Sequence, residues 1–199
     1  MWRAAHERRS GSNSAMLLGP FRGSRSMSVD PGLPGVHVRR AEPGDVDVLL
    51  SLIRELAAFE REPDAVLATP ADLSRALFPD GVPPLVHCHV AVKDGRVVAL
   101  AVWFVSFSTW EGRHGIYLED LYVREGLRGL GVGRALLAAV AAEAVAAGYP
   151  RLEWSALDWN EGAITFYRRA GAADMPEWTR FRLSGPRLHE LGGSRAAAD

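Results

Sequence analysis

From Val36 onward, apolar and polar positions alternate in ways that separate strands from helices. Val36-His37-Val38-Arg39-Arg40 has period two and predicts a first strand. Pro43-Gly44-Asp45 then opens a helix with Asp45 at its N-cap, and Val46, Leu49, Leu50, Ile53, Leu56 and Ala57 recur at helical spacing through Phe59. Thr69-Pro70 supplies a cap and an N1 proline for a second helix ending near Phe78. Val86 to Val92 and Val97 to Phe107 read as strands joined at Asp94-Gly95, a hairpin signal. Tyr117 to Val123 is a further strand, with Leu118, Asp120 and Tyr122 on one face and Tyr117, Glu119, Leu121 and Val123 on the other.

Beyond it, the run from Gly133 to about Ala147 is rich in strong helix formers and stops at Gly148 before Pro150. Arg151 to Leu157 predicts a strand that a right-handed helical crossover makes parallel to Tyr117–Val123. Gly162 to Arg169 predicts a last helix closed by Gly171, and Trp178 to Leu183 a last strand. The expected class is α+β. It has a mixed central sheet with an antiparallel front half and a splayed parallel pair, flanked by helices and carried by one domain over residues 36–191.

Composition narrows the picture. The 199 residues are 48% hydrophobic and 24% charged, as in ordinary globular proteins. A net charge of -1 gives no pull toward nucleic acid or membrane, and no apolar run approaches the ~18 residues that cross a bilayer. A cytoplasmic location is therefore expected. Cys88 is the single cysteine, which rules out an internal disulfide or a multi-thiolate metal site. Residues 1–35 carry arginines at 3, 8, 9, 22 and 25 among serines, glycines and prolines, without apolar periodicity. They are expected to be a disordered extension, with a transit peptide or an early start codon (Met16 and Met27 follow) as alternatives. Residues 192–199 are expected to fray.

The chemistry concentrates between Arg124 and Arg134. Gly126, Gly129, Gly131 and Gly133 lie between a strand and a helix, with Arg124, Arg128 and Arg134 among them. A helix N-terminus offers unpaired N–H groups and partial positive charge, and glycine lets a ligand approach closely, so the stretch suits a phosphate or pyrophosphate. The G-x-G-x-x-G and Walker spacings both fail. Arg128-x-x-Gly131-x-Gly133 remains.

Glu119-Asp120 precede that loop. An amine of pKa ~10.4 must lose a proton before it can attack a carbonyl, at about 4.6 kcal/mol at pH 7, so a carboxylate base is useful there. Since neighbours on a strand face opposite sides, Glu119 is taken as the base. Tyr167 is a phenol able to protonate a thiolate leaving group, although a tyrosine beside Phe166 also suits a core. His87 and His89 share one strand face and Cys88 the other, so they cannot converge on a metal, and no metal is expected.

The motifs ELAAFERE (55–62), STWEGR (108–113), YLEDLYV (117–123), RGLGVG (128–133) and WNEGAITFYRRAGA (159–172) together resemble the diamine and thialysine acetyltransferase branch of the GNAT family. The resemblance spans Val36 to about Arg182. It implies the GNAT fold, acetyl-CoA as co-substrate, a small-molecule amine as acceptor and a homodimer. By resemblance, the backbone of Leu121, Tyr122 and Val123 holds the acetyl-pantetheine arm. Arg128, Gly129, Leu130, Gly131, Val132, Gly133 and Arg134 wrap the pyrophosphate, and Asn160, Glu161, Gly162 and Ala163 meet the cofactor arm. Tyr167 becomes the general acid beside the cofactor, while Phe59, Glu60, Trp110, Glu119, Trp154 and Glu177 shape the amine site. Ser108-Thr109-Trp110 and Leu157 to Asn160 are closer to the thialysine-type members. Acetylation of protein amines, or CoA binding without catalysis, remain as other readings.

Overall fold

A computed structural model describes residues 34–193, so the expected disordered extension falls almost wholly outside the described residues, as does most of the C-terminal tail. The described chain divides into two compact units, with the boundary between Ser155 and Ala156.

The first unit is built on one sheet in the order β1 (Val36–Arg40), β2 (Val86–Lys93), β3 (Arg96–Ser108), β4 (Arg113–Val123) and β5 (Leu152–Glu153). The first three pairings are antiparallel and β4–β5 is parallel, so the sheet is mixed as expected. The β2–β3 turn uses Asp94 and Gly95, both at positive φ (49° and 74°), which matches the twist of a tight hairpin. The expected strand at 151–157 shrinks to two residues. It pairs only Leu152 with Ile116 and Glu153 with Tyr117, and β4 runs on to Val123 without it.

Helices α1 (Val46–Phe59) and α2 (Pro70–Leu77) cover one face of the sheet. Leu49 and Leu52 of α1 and Leu77 of α2 close a core with Cys88, Val90, Leu100 and Tyr122. Thr69 caps α2 by accepting from the Asp72 N–H. Asp45 stands at the N-cap position of α1, but its carboxylate caps nothing there. It accepts instead from Arg39 at 2.6 and 3.0 Å and from the Glu42 N–H at 2.8 Å.

Helix α3 (Val132–Ala146) covers the other face. Its apolar stripe includes Leu136 and Val140, both fully buried. Beneath it lies a polar layer. Glu143 pairs with Arg40 at 2.7 Å and stands 3.4 Å from His89 Nε2. The Trp103 indole N–H donates to His89 Nδ1 at 3.0 Å, and Arg40 donates to His87 Nδ1 at 3.2 Å. His87 also stacks on Trp103, with ring centroids 4.3 Å apart. The two histidines thus share a face with α3 while Cys88 lies in the opposite core. Among the described residues no cluster of His, Cys, Asp or Glu could hold a metal ion.

One expectation about β4 is corrected. Val102 pairs with Asp120 and Trp103 with Leu118, leaving Glu119 as an extra residue. This is a β-bulge, in which two residues on one strand oppose one on its partner and alternation is interrupted. Asp120 and Tyr122 therefore stay on the α1 face with their partners Val102 and Leu100, while Leu118 moves to the α3 face beside Trp103.

In the second unit, Asn160 caps α4 (Glu161–Arg169) by accepting from the Ala163 N–H at 3.1 Å, and Gly171 follows at φ 96°. Residues 178–183 form no strand. Instead Gly185–Leu191 makes a short helix, α5, so α4 is not the last one. Among the described residues, no helix is long and apolar enough to cross a membrane.

Candidate active site

The end of β4 feeds directly into the glycine loop. Gly129 and Gly131 hold φ of 76° and 86°, a left-handed conformation that side chains rarely adopt. Gly131 is the N-cap of α3 and brings no capping side chain, while its carbonyl accepts the first helical bond from Ala135. The N–H groups of Val132, Gly133 and Arg134 therefore have no preceding helical carbonyl to meet. A Cβ added to Gly129 would touch nothing within 4 Å, so this side of the loop is open. A bare helix N-terminus on an open glycine loop with Arg134 in its first turn fits a pyrophosphate.

Arg128 is engaged within the chain itself. Its guanidinium lies 4.4 Å over the Phe59 ring and 5.5 Å over the Tyr122 ring, and its Nε donates to the Val123 carbonyl at 3.0 Å. Arg124, at the start of the loop, grips Glu55 of α1 with Nε at 3.2 Å from both carboxylate oxygens and Nη2 at 2.9 Å from one. Tyr122 Oη donates to the same carboxylate at 3.4 Å. The Arg124 guanidinium, helped by Ser51 and Tyr122, holds the Glu55 carboxyl below its usual range, with burial opposing. Residue types and spacing do not single out Glu55. The one available signal is that Glu55 lies one helical turn before Phe59.

Two carboxylates, Glu119 and Glu60, act on a third beside this loop. Burial pushes the Asp120 carboxyl up to about 6, and the charges of Glu119 and Glu60 push it the same way. Burial also raises Glu60, which follows the last turn of α1. Glu119, the residue expected to act as base, is exposed at the bulge. Its neighbour Asp120, which alternation sets aside, is half-buried. Leu121 and Val123 are partly buried and Tyr122 is buried.

The remaining candidates are more dispersed. Trp110 stands in the β3–β4 turn at 85% exposure, and Leu130 in the loop is exposed. Trp154 follows β5 and is partly buried. In the second unit Glu161, Gly162 and Ala163 form the first turn of α4, and Tyr167 lies further along it with its ring 5.0 Å from that of Phe166. Glu177 sits in the connection between α4 and α5. The Asn160 side-chain oxygen is committed to its helix cap. Cys88 is buried, and burial holds its thiol protonated.

Residues 50–172, which run from within α1 through α2, strands β2 to β5, the loop, α3 and α4, match the Acetyltransferase (GNAT) family. The chain belongs to that family. It is an acetyl-CoA-dependent N-acetyltransferase with the GNAT fold. The thialysine N-epsilon-acetyltransferase of Bos taurus is 38% identical over 169 residues, covering 79% of this chain and 98% of the relative. The L-ornithine N5-acetyltransferase of Arabidopsis thaliana is 29% identical over 198 residues, covering 78% of this chain and 87% of that one. Among solved structures, an integron cassette protein from the mobile metagenome of V. cholerae is similar, with a TM-score of 0.66 and 27% identity over 80% of this chain and 99% of its own.

Proposed function

We propose that this enzyme acetylates a primary amine of a small diamine or lysine-like molecule, with thialysine-type acceptors favoured, by direct attack while both substrates are bound. The observation that carries the reading is the convergence of Glu60, Glu119 and Asp120 on one electrostatic neighbourhood next to the cofactor loop. Such a cluster attracts an ammonium group and then removes its proton. The activities of the relatives, on thialysine and ornithine, support an amino acid with a side-chain amine.

Acetyl-CoA, when bound, supplies an activated thioester. The N–H groups at the start of α3 would hold its pyrophosphate, and the strand backbone from Leu121 to Val123 its acetyl-pantetheine arm. Glu119 would accept the ammonium proton, directly or through water, so that the nitrogen lone pair can form the new C–N bond. Asp120 and Glu60 would supply the negative field. Phe59, Trp110, Trp154 and Glu177 would shape the acceptor site, and the first turn of α4 would meet the cofactor arm. Tyr167 would give its phenolic proton to the sulfur as the C–S bond breaks. An acyl-cysteine intermediate has no candidate, because the single cysteine is buried and held protonated.

We further read the protein as a cytoplasmic homodimer without nucleic-acid or membrane partners. Trp178 and Phe181, 67% and 93% exposed in the second unit, are apolar surface that a second copy could cover. The test is CoA release by purified protein with thialysine, ornithine, lysine, putrescine, spermidine and a lysine peptide, together with the sedimentation coefficient of the same sample. Turnover on the peptide alone would move the function to protein modification, and CoA binding with no turnover at all would reduce it to a binding module.

A further inference from the structure

We infer that the last turns of α1 are a clamp that pre-forms the cofactor loop, with Glu55 and Phe59 as positioning residues for acetyl-CoA binding. The inference rests on the proposed use of that loop. Glu55 and Phe59 are four residues apart on α1, so they lie on one face of the helix. Arg124 and Arg128 are also four apart, and they bracket the turn that leads into the glycines. The two pairs meet in register. Glu55 takes Arg124 through three nitrogen–oxygen contacts of 3.2 Å or less, and Phe59 lies 4.4 Å under the Arg128 guanidinium. Tyr122 joins both halves, since its hydroxyl donates to Glu55 and its ring lies 5.5 Å from the same Arg128 guanidinium. Arg128 then closes the turn by donating to Val123, its own strand end.

A glycine-rich loop is entropically costly to order, because glycine loses more conformational freedom than any other residue. Contacts that order it before the ligand arrives move that cost out of the binding step. Neither Glu55 nor Phe59 need touch the cofactor for this effect, and both arginines are spent on holding the loop. The same helix continues into Glu60, which faces Asp120 electrostatically.

The experiment compares wild type with Glu55→Gln, Arg124→Gln, their double variant, the charge-swapped pair Glu55→Arg with Arg124→Glu, and Phe59→Leu. CoA affinity is read by calorimetry, and loop order by hydrogen exchange of amides 124–131 in the ligand-free protein. Each single variant of the ion pair is expected to weaken CoA about fivefold, with the double variant no worse than either single. The swapped pair should recover part of the loss. The acetyl-CoA KM should rise by the same factor with kcat within about twofold, and amides 124–131 should exchange faster at an unchanged melting temperature. Phe59→Leu, which keeps the apolar contact and loses the ring, should weaken CoA binding and speed the exchange of amides 124–131 to a smaller degree. Additive losses in the double variant, or variants that bind CoA and exchange like wild type, would overturn the clamp. Wild-type protein that bound no CoA would overturn the proposed function instead, and exchange at 124–131 would still decide whether the loop is held.

Discussion

Asp120→Asn should make the protein more stable and less active, and the stability gain should depend on pH. The Asp120 carboxyl sits at about 6 in the fold against 3.8 in an open chain, because burial and the charges of Glu119 and Glu60 disfavour its ionised form. A pKa difference of one between folded and unfolded chain is worth about 1.36 kcal/mol, so the ionised group costs the fold about 3 kcal/mol. Between pH 3.8 and 6 the folded state binds the extra proton, so stability from this group is present at low pH and lost as pH rises through about 6. Asparagine keeps the shape and removes the titration. Urea unfolding at pH 4, 5.5 and 7.5 should show the variant ahead by about 2 to 3 kcal/mol at pH 7.5, with the lead shrinking toward zero at pH 4. Groups common to both proteins cancel in the difference. Turnover with the best acceptor should fall about tenfold or more, since the negative field at the amine weakens. A stability difference that stays flat with pH, or a variant weaker than wild type at pH 7.5, would refute the reasoning about this carboxyl.

Two other outcomes follow from the same geometry. Tyr167→Phe should lower kcat about 10- to 100-fold with the substrate KM values little changed, measured by thiol release across pH 6 to 9; equal turnover at every pH would remove Tyr167 as the acid. His87 is held neutral with its pKa lowered to about 4 by burial, and the Arg40 charge lowers it further. The unfolded chain therefore protonates first as pH falls, and this residue's contribution of about 3 kcal/mol is lost between pH 6.5 and 4. His87→Phe, which keeps a ring on Trp103, should flatten that part of the wild-type acid-denaturation curve; an unchanged curve would show that another group controls it.

Local signals carried most of the fold. Period-two runs located β1 to β4 within a few residues, and Asp94-Gly95 and Thr69-Pro70 marked their turn and cap directly. What failed was whatever depended on a distant partner. Arg151–Leu157 has strand character, but a parallel strand exists only as far as its neighbour pairs with it, here two residues. Residues 178–183 have strand composition and find no partner among the described residues. The α5 helix did announce itself, with Pro186 in its first turn and Gly192 past its end, and was hidden by the expectation of a final strand and a frayed tail.

The residue types of the candidate site were legible in the sequence, and the bulge between two of them was not. Alternation permits only one of Glu119 and Asp120 to face the acceptor, but a bulge at that pair cancels the rule, and nothing in LEDLY signals a bulge. That rule sets Asp120 aside, yet burial pushes its carboxyl up to about 6. Glu119 stays exposed and Asp120 is withdrawn, so two neighbouring acids stand in different surroundings. The same logic joins ELAAFERE to the strand and loop. Glu55 and Phe59 hold the arginines that order the cofactor loop, while Glu60, the next residue, presses its charge on Asp120. Residues 55–60 and 119–128 are therefore one working unit. A substitution at Glu55 should therefore be felt at the loop through Arg124, although Glu55 need not touch the cofactor.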